Sequence, residues 1–302
     1  MIRSSLIAFT LVVGLASRGV AQPAVDNVLE RMVPPGTTGL VGARMEPIKQ
    51  TVLYRKLVES RSIPQLDEFA RSTGFDPRRD VRELLFATTS HGAVMLARGT
   101  FHPDAATLRS LSRMRHGEYD VWGQGTSGFC ILDSTLAAAG DLSAVIAALD
   151  EWKSGSHTAA QPLLARASGV ETRAQLWGVS TGLSSFLAEH SPGAGSGIDM
   201  SKILQGLEDT SFGADLSMGL FARVHGTTAT EKDAVSLRDT FRGMVGLGRL
   251  KVPENQPELL KVWDGITVDQ QGRSLTINVD IAQNLLDKLM QILNFGPVSR
   301  IG

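Results

Sequence analysis

The second half of this 302-residue chain repeats several landmarks of the first half in the same order. The landmarks are a short apolar run, an Ala-Arg pair, an Asp-Ala-x-x-Leu-Arg hexapeptide and a Val-Trp pair. The pairs are Leu40-Val41-Gly42 with Leu176-Trp177-Gly178, Ala97-Arg98 with Ala222-Arg223, Asp104–Arg109 with Asp233–Arg238, and Val121-Trp122 with Val262-Trp263. Landmarks that recur in order at a long period predict a diverged duplication of one structural unit. We therefore expect a first repeat over residues 22–160 and a second over residues 161–302.

The first 21 residues have the composition of a secretory signal peptide. Arg3 precedes an apolar stretch from Leu6 to Ala16, and the small residues of Gly19–Ala21 precede a polar break. This arrangement predicts export and cleavage after Ala21, with retention as an N-terminal anchor as the alternative. Beyond Ala21 no apolar run is long enough to cross a bilayer, so we expect no transmembrane segment in the mature chain.

Composition and charge narrow the class of protein. With 42% hydrophobic and 20% charged residues the chain is expected to fold around a real core. Loss of Arg3 and Arg18 with the signal peptide leaves 28 basic and 31 acidic residues, a near balance that gives no general attraction for nucleic acid. The single cysteine, Cys130, excludes an internal disulfide and is expected to be a buried, inert thiol. An exported chain without disulfides is typical of the bacterial envelope, either periplasmic or extracellular.

The distribution of apolar runs predicts an α+β fold of antiparallel hairpins with helices packed on the sheet. The expected strands cover residues 39–44, 84–88, 93–100, 119–122, 129–132, 176–179, 216–225, 265–269 and 274–280. Asp141 is expected to cap a helix with a leucine-rich stripe, and residues 282–293 to form a closing helix. Hairpins without regular strand–helix alternation argue against a doubly wound parallel sheet. The pattern leaves open whether the two repeats join into one sheet or form two domains.

One pentapeptide has the pattern of a catalytic motif. Gly178-Val179-Ser180-Thr181-Gly182 matches G-x-S-x-G, with a strand before it and a possible helix, Leu183–His190, after it. The motif resembles the nucleophile elbow of the alpha/beta-hydrolase family, and this resemblance implies Ser180 as the nucleophile of an esterase or peptidase. That family places several parallel strands before the serine, whereas the preceding half here is rich in hairpins. The favoured interpretation is a strand-to-helix turn in which Ser180 or Thr181 caps the helix.

Other candidate motifs predict structure rather than chemistry. Residues 123–128 match G-x-G-x-x-G but precede a predicted strand, so we interpret them as a hairpin turn rather than a phosphate site. The six histidines are scattered without the spacing of a helical zinc site. The sequence therefore predicts no metal site and no cofactor.

Arg98 and Arg223 are the most informative polar residues, because the proposed duplication makes them equivalent. One hypothesis is that they meet across a pseudo-twofold axis and bind an anionic group. The favoured alternative is that each arginine pairs with a local carboxylate at a strand end.

Three functional hypotheses follow from these patterns. The leading one is a non-catalytic exported envelope protein with a binding or scaffolding role, and a possible partner protein in the envelope. The second is an exported serine hydrolase that uses Ser180. The third is a carrier of an apolar ligand, which the leucine-rich and methionine-rich elements suggest.

Overall fold

The structure, a computed structural model, describes residues 26–59, 63–73, 76–90, 92–102, 108, 111–155, 160–170, 173–181 and 206–292. The proposed signal peptide (1–21), the predicted helix 183–190 and most of Asp104–Arg109 lie outside these residues. No helix in the described ranges is long and apolar enough to cross a membrane.

The described part of the fold contains twelve strands, ten α-helices, a π-helix over Arg55–Glu59 and a 3-10 helix over Pro257–Leu259. The strands are β1 Thr37–Arg44, β2 Val81–Thr89, β3 Gly92–Gly99, β4 Ser112–His116, β5 Tyr119–Gln124, β6 Ser127–Asp133, β7 Leu136–Asp141, β8 Leu176–Thr181, β9 Leu207–Asp215, β10 Gly219–Thr228, β11 Ile266–Gln271 and β12 Ser274–Ala282. The helices are α1 Asn27–Glu30, α2 Met45–Lys49, α3 Val52–Tyr54, α4 Pro64–Thr73, α5 Pro77–Asp80, α6 Leu142–Ser154, α7 Gln161–Ala167, α8 Glu231–Leu250, α9 Leu260–Asp264 and α10 Gln283–Ile292.

All twelve strands belong to one antiparallel sheet. Their order is β11-β12-β10-β9-β8-β1-β2-β3-β7-β6-β5-β4, so β1 and β8 pair at the centre and join the two halves of the chain. The α+β class predicted from the sequence is therefore confirmed, with a single large sheet rather than two. The proposed boundary after residue 160 falls immediately before α7.

Helices cover opposite faces of the sheet at its two ends. On one face, here named the first face, α1, α6 and α7 bury Leu40, Leu96 and Trp177 in the largest core. On the other face, the second face, α8, α9 and α10 cover β10–β12 and bury Leu275 and Ile281. The long helices α6 and α8 thus lie on opposite faces, while α7, which follows the proposed boundary, packs on the first face with α6.

Helix α6 shows how individual residues determine where a helix begins and ends. Asp141 occupies its N-cap position, as expected, but its carboxylate accepts a hydrogen bond from the Ala93 N–H (2.7 Å) instead of capping the helix. The expectation of a capping side chain was therefore wrong, because the neighbouring strand offers a competing donor. The helix ends at Gly155, whose φ of 65° is a left-handed conformation that glycine adopts without steric cost.

Most predicted strands are present, with three omissions and one displacement. The sequence did not predict β4, β7 and β9, and the strand expected over 216–225 begins only at Gly219. Val262-Trp263, which was matched with Val121-Trp122 of β5, lies in helix α9. That landmark of the duplication is therefore wrong as a structural equivalence.

Two other predictions are confirmed. The G-x-G-x-x-G segment is a hairpin turn between β5 and β6, in which Gly125 has a φ of 62°. Cys130 is fully buried, and burial raises the pKa of its thiol to about 12.

Candidate functional site

A continuous row of apolar residues crosses the second face of the sheet. Each member is the direct cross-strand partner of the next, and directly paired residues in antiparallel strands point to the same face. The row runs through eleven strands as Trp122, Phe129, Ala139, Met95, Phe86, Val41, Gly178, Phe212, Val224, Ile277 and Val268. We call this set the apolar row.

The centre of the apolar row forms an open cavity, here named the trough, of about 380 Å³. This volume lies within the usual range of small-molecule sites, about 300–1,000 Å³. Its described lining consists of Thr38, Gly39, Leu40, Val41, Phe86, Thr88, Gly178, Val179, Ser180, Thr181, Thr210, Ser211, Phe212 and Val224. None of these residues carries a charge. The trough lies at the β1–β8 junction between the two halves of the chain.

Glycines in the central strands make room for the aromatic side chains. A Cβ atom on Gly178 would lie 2.2 Å from Cε1 of Phe212, so the phenyl ring covers the glycine backbone on the second face. On the first face, a Cβ on Gly42 would lie 2.1 Å from Cε2 of Trp177. Such aromatic–glycine pairs across strands protect a glycine that would otherwise weaken the sheet.

A row of hydroxyl side chains runs beside the apolar row. Thr88, Ser180 and Thr210, here named the hydroxyl row, follow one another through Gly39 in the strand register. The Ser180 Oγ and Thr210 Oγ1 atoms are hydrogen-bonded at 2.9 Å, and both residues are buried. The Thr88 hydroxyl donates to the Gly39 carbonyl at 3.4 Å. All three residues of the hydroxyl row line the trough.

Ser180 lies inside strand β8, which continues to Thr181, rather than at a turn after the strand. Three histidines lie in the described ranges. His225 is adjacent in sequence to Gly226, the partner of Thr210, and so points to the opposite face, where its Nδ1 lies 3.4 Å from the Thr276 hydroxyl. His116 is hydrogen-bonded to Asp150, and His102 is exposed. In the described residues the Ser180 hydroxyl therefore has Thr210, not a histidine, as its partner.

Arg98 and Arg223 lie far apart and do not form a joint site. Strands β3 and β10 are separated by five strand spacings, or about 24 Å at the usual spacing of strands. Arg98 is 3.7 Å from the Asp26 carboxylate, and the Nε of Arg223 donates to the Asn278 side chain at 2.9 Å. The hypothesis that the two arginines meet is therefore corrected, because the β1–β8 pair places the equivalent strands on opposite sides of the sheet centre.

Arg223 lines a separate cleft of about 470 Å³ on the first face. Arg173, Asp215 and Asp280 also line it, so its charges are mixed in sign. Mixed charges of this kind are typical of a solvated protein surface. Across the described ranges no group of three or more histidine, cysteine, aspartate or glutamate side chains is placed to hold a metal ion.

Glu83 has the most perturbed carboxyl group near the sheet centre. Burial raises the pKa of the Glu83 carboxyl from 4.5 to about 7, and Arg44, its cross-strand neighbour, opposes this rise. Its position at the Arg44 end of β2 separates it from the trough, which is lined from the Thr88 end. We therefore treat Glu83 as a determinant of stability and not as part of the site.

The sequence did not allow us to predict the trough, although the composition of β1 indicated part of it. Val41 and Leu40 are adjacent apolar residues, so β1 is apolar on both faces, which is typical of a strand with something packed on each side. The contribution of Phe212 was not recognised, because β9 was not predicted as a strand. Phe212 is surrounded by Asp, Thr, Ser and Gly residues, which favour a loop.

Comparison with known proteins defines the class of fold and nothing more specific. No family model matches the sequence, and no curated protein matches it. Among solved structures, crystal form III of TP0453 aligns with a TM-score of 0.50 and 8% sequence identity, covering 88% of this chain and 98% of that chain. Crystal form I of TP0453 gives a TM-score of 0.47 with 10% identity, covering 89% and 98%. At 8% identity the form III match shows a shared α+β fold alone.

Proposed function

We propose that this chain is a non-catalytic, exported binding protein of the bacterial envelope that holds an apolar ligand in the trough. The observation that carries the proposal is the trough itself, an uncharged concave surface bordered by Phe86 and Phe212. An apolar concavity of this size with a few convergent polar groups is the usual form of a small-molecule site. Extended apolar surface on the outside of a protein otherwise marks an interaction site of another kind.

A duplicated unit is part of the same proposal. In its support, strand order is mirrored about the central pair, with β1-β2-β3-β7-β6 on one side and β8-β9-β10-β12-β11 on the other. Leu40–Gly42 and Leu176–Gly178, matched in the sequence, lie in the two paired central strands. In this arrangement the ligand site lies where the two repeats meet.

The proposed location rests on the N-terminal sequence. Arg3, the apolar stretch after it and the small residues before Gln22 support export through a signal peptide cleaved after Ala21. We further propose that a partner in the envelope, rather than a nucleic acid, delivers or receives the ligand. The near-neutral balance of charges supports this choice.

Binding of N-phenyl-1-naphthylamine, a probe whose fluorescence rises in apolar surroundings, tests the proposal. We expect the native protein to enhance its fluorescence and Val224→Asp to abolish the enhancement, because the new carboxylate would lie in the trough. His225→Asp is the matched control, since the next residue of β10 points to the opposite face and is exposed. No enhancement by the native protein, or equal loss in both variants with native-like circular dichroism, would overturn the proposal.

A serine hydrolase is the second candidate, because Ser180 lines the trough. Labelling with a fluorophosphonate distinguishes the two functions. A non-catalytic protein leaves Ser180 unlabelled, since its hydroxyl is bonded to Thr210. Labelling that disappears in Ser180→Ala would establish the hydrolase instead.

A further inference from the structure

The polar groups of the trough restrict the charge of its ligand. Its lining offers hydroxyls, including those of Ser180 and Thr210, but no cationic or anionic side chain among the described residues. A carboxylate or phosphate placed there would lose hydration without gaining an opposite charge, which is costly. Hydroxyl side chains both donate and accept hydrogen bonds, so they match an uncharged hydroxyl, ester or amide.

The surroundings of the trough restrict the direction in which a ligand extends. Toward β12 the apolar row passes beneath α8, where Phe241 and Leu237 pack with Leu275 and Ile277. A cavity of about 420 Å³ lies there between α8 and the row residues Ile277 and Val268. Toward β3 the row stays open, with 43% of Met95 exposed. A smaller cavity of about 70 Å³ continues past Met95 toward Phe129. On the Met95 side an extended ligand lies on exposed apolar surface, whereas on the β12 side it would have to pass between the sheet and α8.

The length of the open path matches a lipid chain. Ser180 on β8 and Met95 on β3 are separated by three strand spacings, or about 14 Å. The hydrocarbon core of a bilayer is about 30 Å thick, so one chain of a leaflet spans about 15 Å. A chain bound at the hydroxyl row would end near the exposed methionine, whose flexible side chain adapts to irregular apolar surfaces.

We propose that the ligand is a linear alkyl-chain amphiphile with an uncharged hydrogen-bonding head. The head binds at the Ser180–Thr210 hydroxyl pair, and the chain lies along the apolar row over Phe86 to Met95. This inference rests on the proposed function, and it adds the charge, shape and orientation of the ligand.

Displacement of bound N-phenyl-1-naphthylamine by three competitors tests the inference. At alkaline pH we expect 1-dodecanol to displace the probe at a concentration at least about tenfold lower than dodecanoate requires. The reason is that dodecanoate brings a charge into the trough and 1-dodecanol does not. We expect 1-hexanol to be much weaker, since each buried methylene contributes about fourfold in affinity. Removal of both hydroxyls, in Ser180→Ala/Thr210→Val, should weaken 1-dodecanol by about fivefold.

A substitution at Met95 tests the proposed path of the alkyl chain. Met95→Ser should weaken 1-dodecanol several-fold and leave 1-hexanol unchanged, because the shorter chain does not reach that residue. Met114→Ser is the matched control, since Met114 on β4 is similarly exposed, at 39%, and pairs with the buried first-face residue Val121. The inference would be overturned if dodecanoate bound as tightly as 1-dodecanol or more tightly, or if Met95→Ser and Met114→Ser had equal effects. In either case, binding of the probe itself would still support the proposed function. Failure of the probe to bind would overturn both.

Discussion

The phenyl ring of Phe212 lies directly over the backbone of Gly178, its cross-strand partner, so closely that a Cβ atom on the glycine would be 2.2 Å from Cε1 of the ring. Gly178 is the first residue of the G-x-S-x-G pattern, and this contact accounts for it without catalysis. The glycine allows an aromatic side chain to form one wall of the trough.

A methyl group at Gly178 should therefore destabilise the protein. We expect Gly178→Ala to lower the free energy of unfolding by about 1–3 kcal/mol, because the ring of Phe212 must move, as measured by urea denaturation. In a Phe212→Ala background the same substitution should cost much less, which gives a large coupling energy in a double-mutant cycle. Gly243→Ala in α8 is the control, since no atom beyond its chain neighbours and the nearby helix backbone lies within 4 Å of the new Cβ. This substitution should raise the free energy of unfolding by about 0.5–1 kcal/mol. Equal costs of Gly178→Ala in both backgrounds would contradict the contact.

The buried hydroxyl pair should behave as a unit in the ligand-free protein. Ser180→Ala leaves the Thr210 hydroxyl buried without this partner and should cost about 1–2 kcal/mol of unfolding free energy. Adding Thr210→Val should recover much of that loss, because both polar groups are then absent. Additive losses in the double variant would show that the two hydroxyls are not coupled.

The contribution of Glu83 to the free energy of unfolding should decrease as pH rises. Burial raises the pKa of its carboxyl from 4.5 to about 7 in the folded protein, so the folded state binds more protons than the unfolded state between those values. Stability from this residue is thus present below about pH 4.5 and lost as pH rises through about 7. We expect the free energy of unfolding of Glu83→Gln to exceed that of the native protein by about 1–3 kcal/mol at about pH 8 and to equal it near pH 4.

The control for Glu83 is Glu254→Gln, which removes the same charge at an exposed position. Thermal unfolding over the same pH range should give curves for this variant parallel to those of the native protein. A Glu83→Gln curve that is also parallel would show that the carboxyl is not protonated on folding.

The same substitution at two leucines should separate core from surface. Leu149 of α6 is fully buried, and Leu149→Ala should cost about 2–5 kcal/mol because it leaves a cavity in the main core. Leu250 at the end of α8 is 84% exposed, and Leu250→Ala should change stability by less than about 0.5 kcal/mol. A similar cost at both positions in urea denaturation would be inconsistent with this packing.

Cys130 should be unreactive in the folded protein. Its thiol is fully buried and burial raises its pKa to about 12, so almost no thiolate exists near neutral pH. We expect no reaction with a disulfide reagent in native buffer and complete reaction in a denaturing concentration of urea. Rapid labelling of the native protein would place this strand in contact with solvent.

Strands were predictable where composition and alternation agreed. The apolar run of β3 and the turn at Gly125 between β5 and β6 are local signals, and both are present. Strand β9 was not predictable, because its Asp, Ser, Thr and Gly residues have weak β-propensity and pairing with β8 and β10 on both sides holds it in the sheet. The helical position of Trp263 has a similar origin, since its ring packs over Gly248 of α8.

The sequence by itself determined the α+β class, the hairpins and the burial of Cys130, because these follow from the order of apolar and turn residues along short segments. Only the tertiary structure decided that β1 pairs with β8, and therefore that Val41, Gly178 and Phe212 share one surface. Alternation along a strand says which of its residues share a face, but not which strand will be its neighbour. That choice depends on contacts between residues more than a hundred positions apart, and the trough exists only because of it.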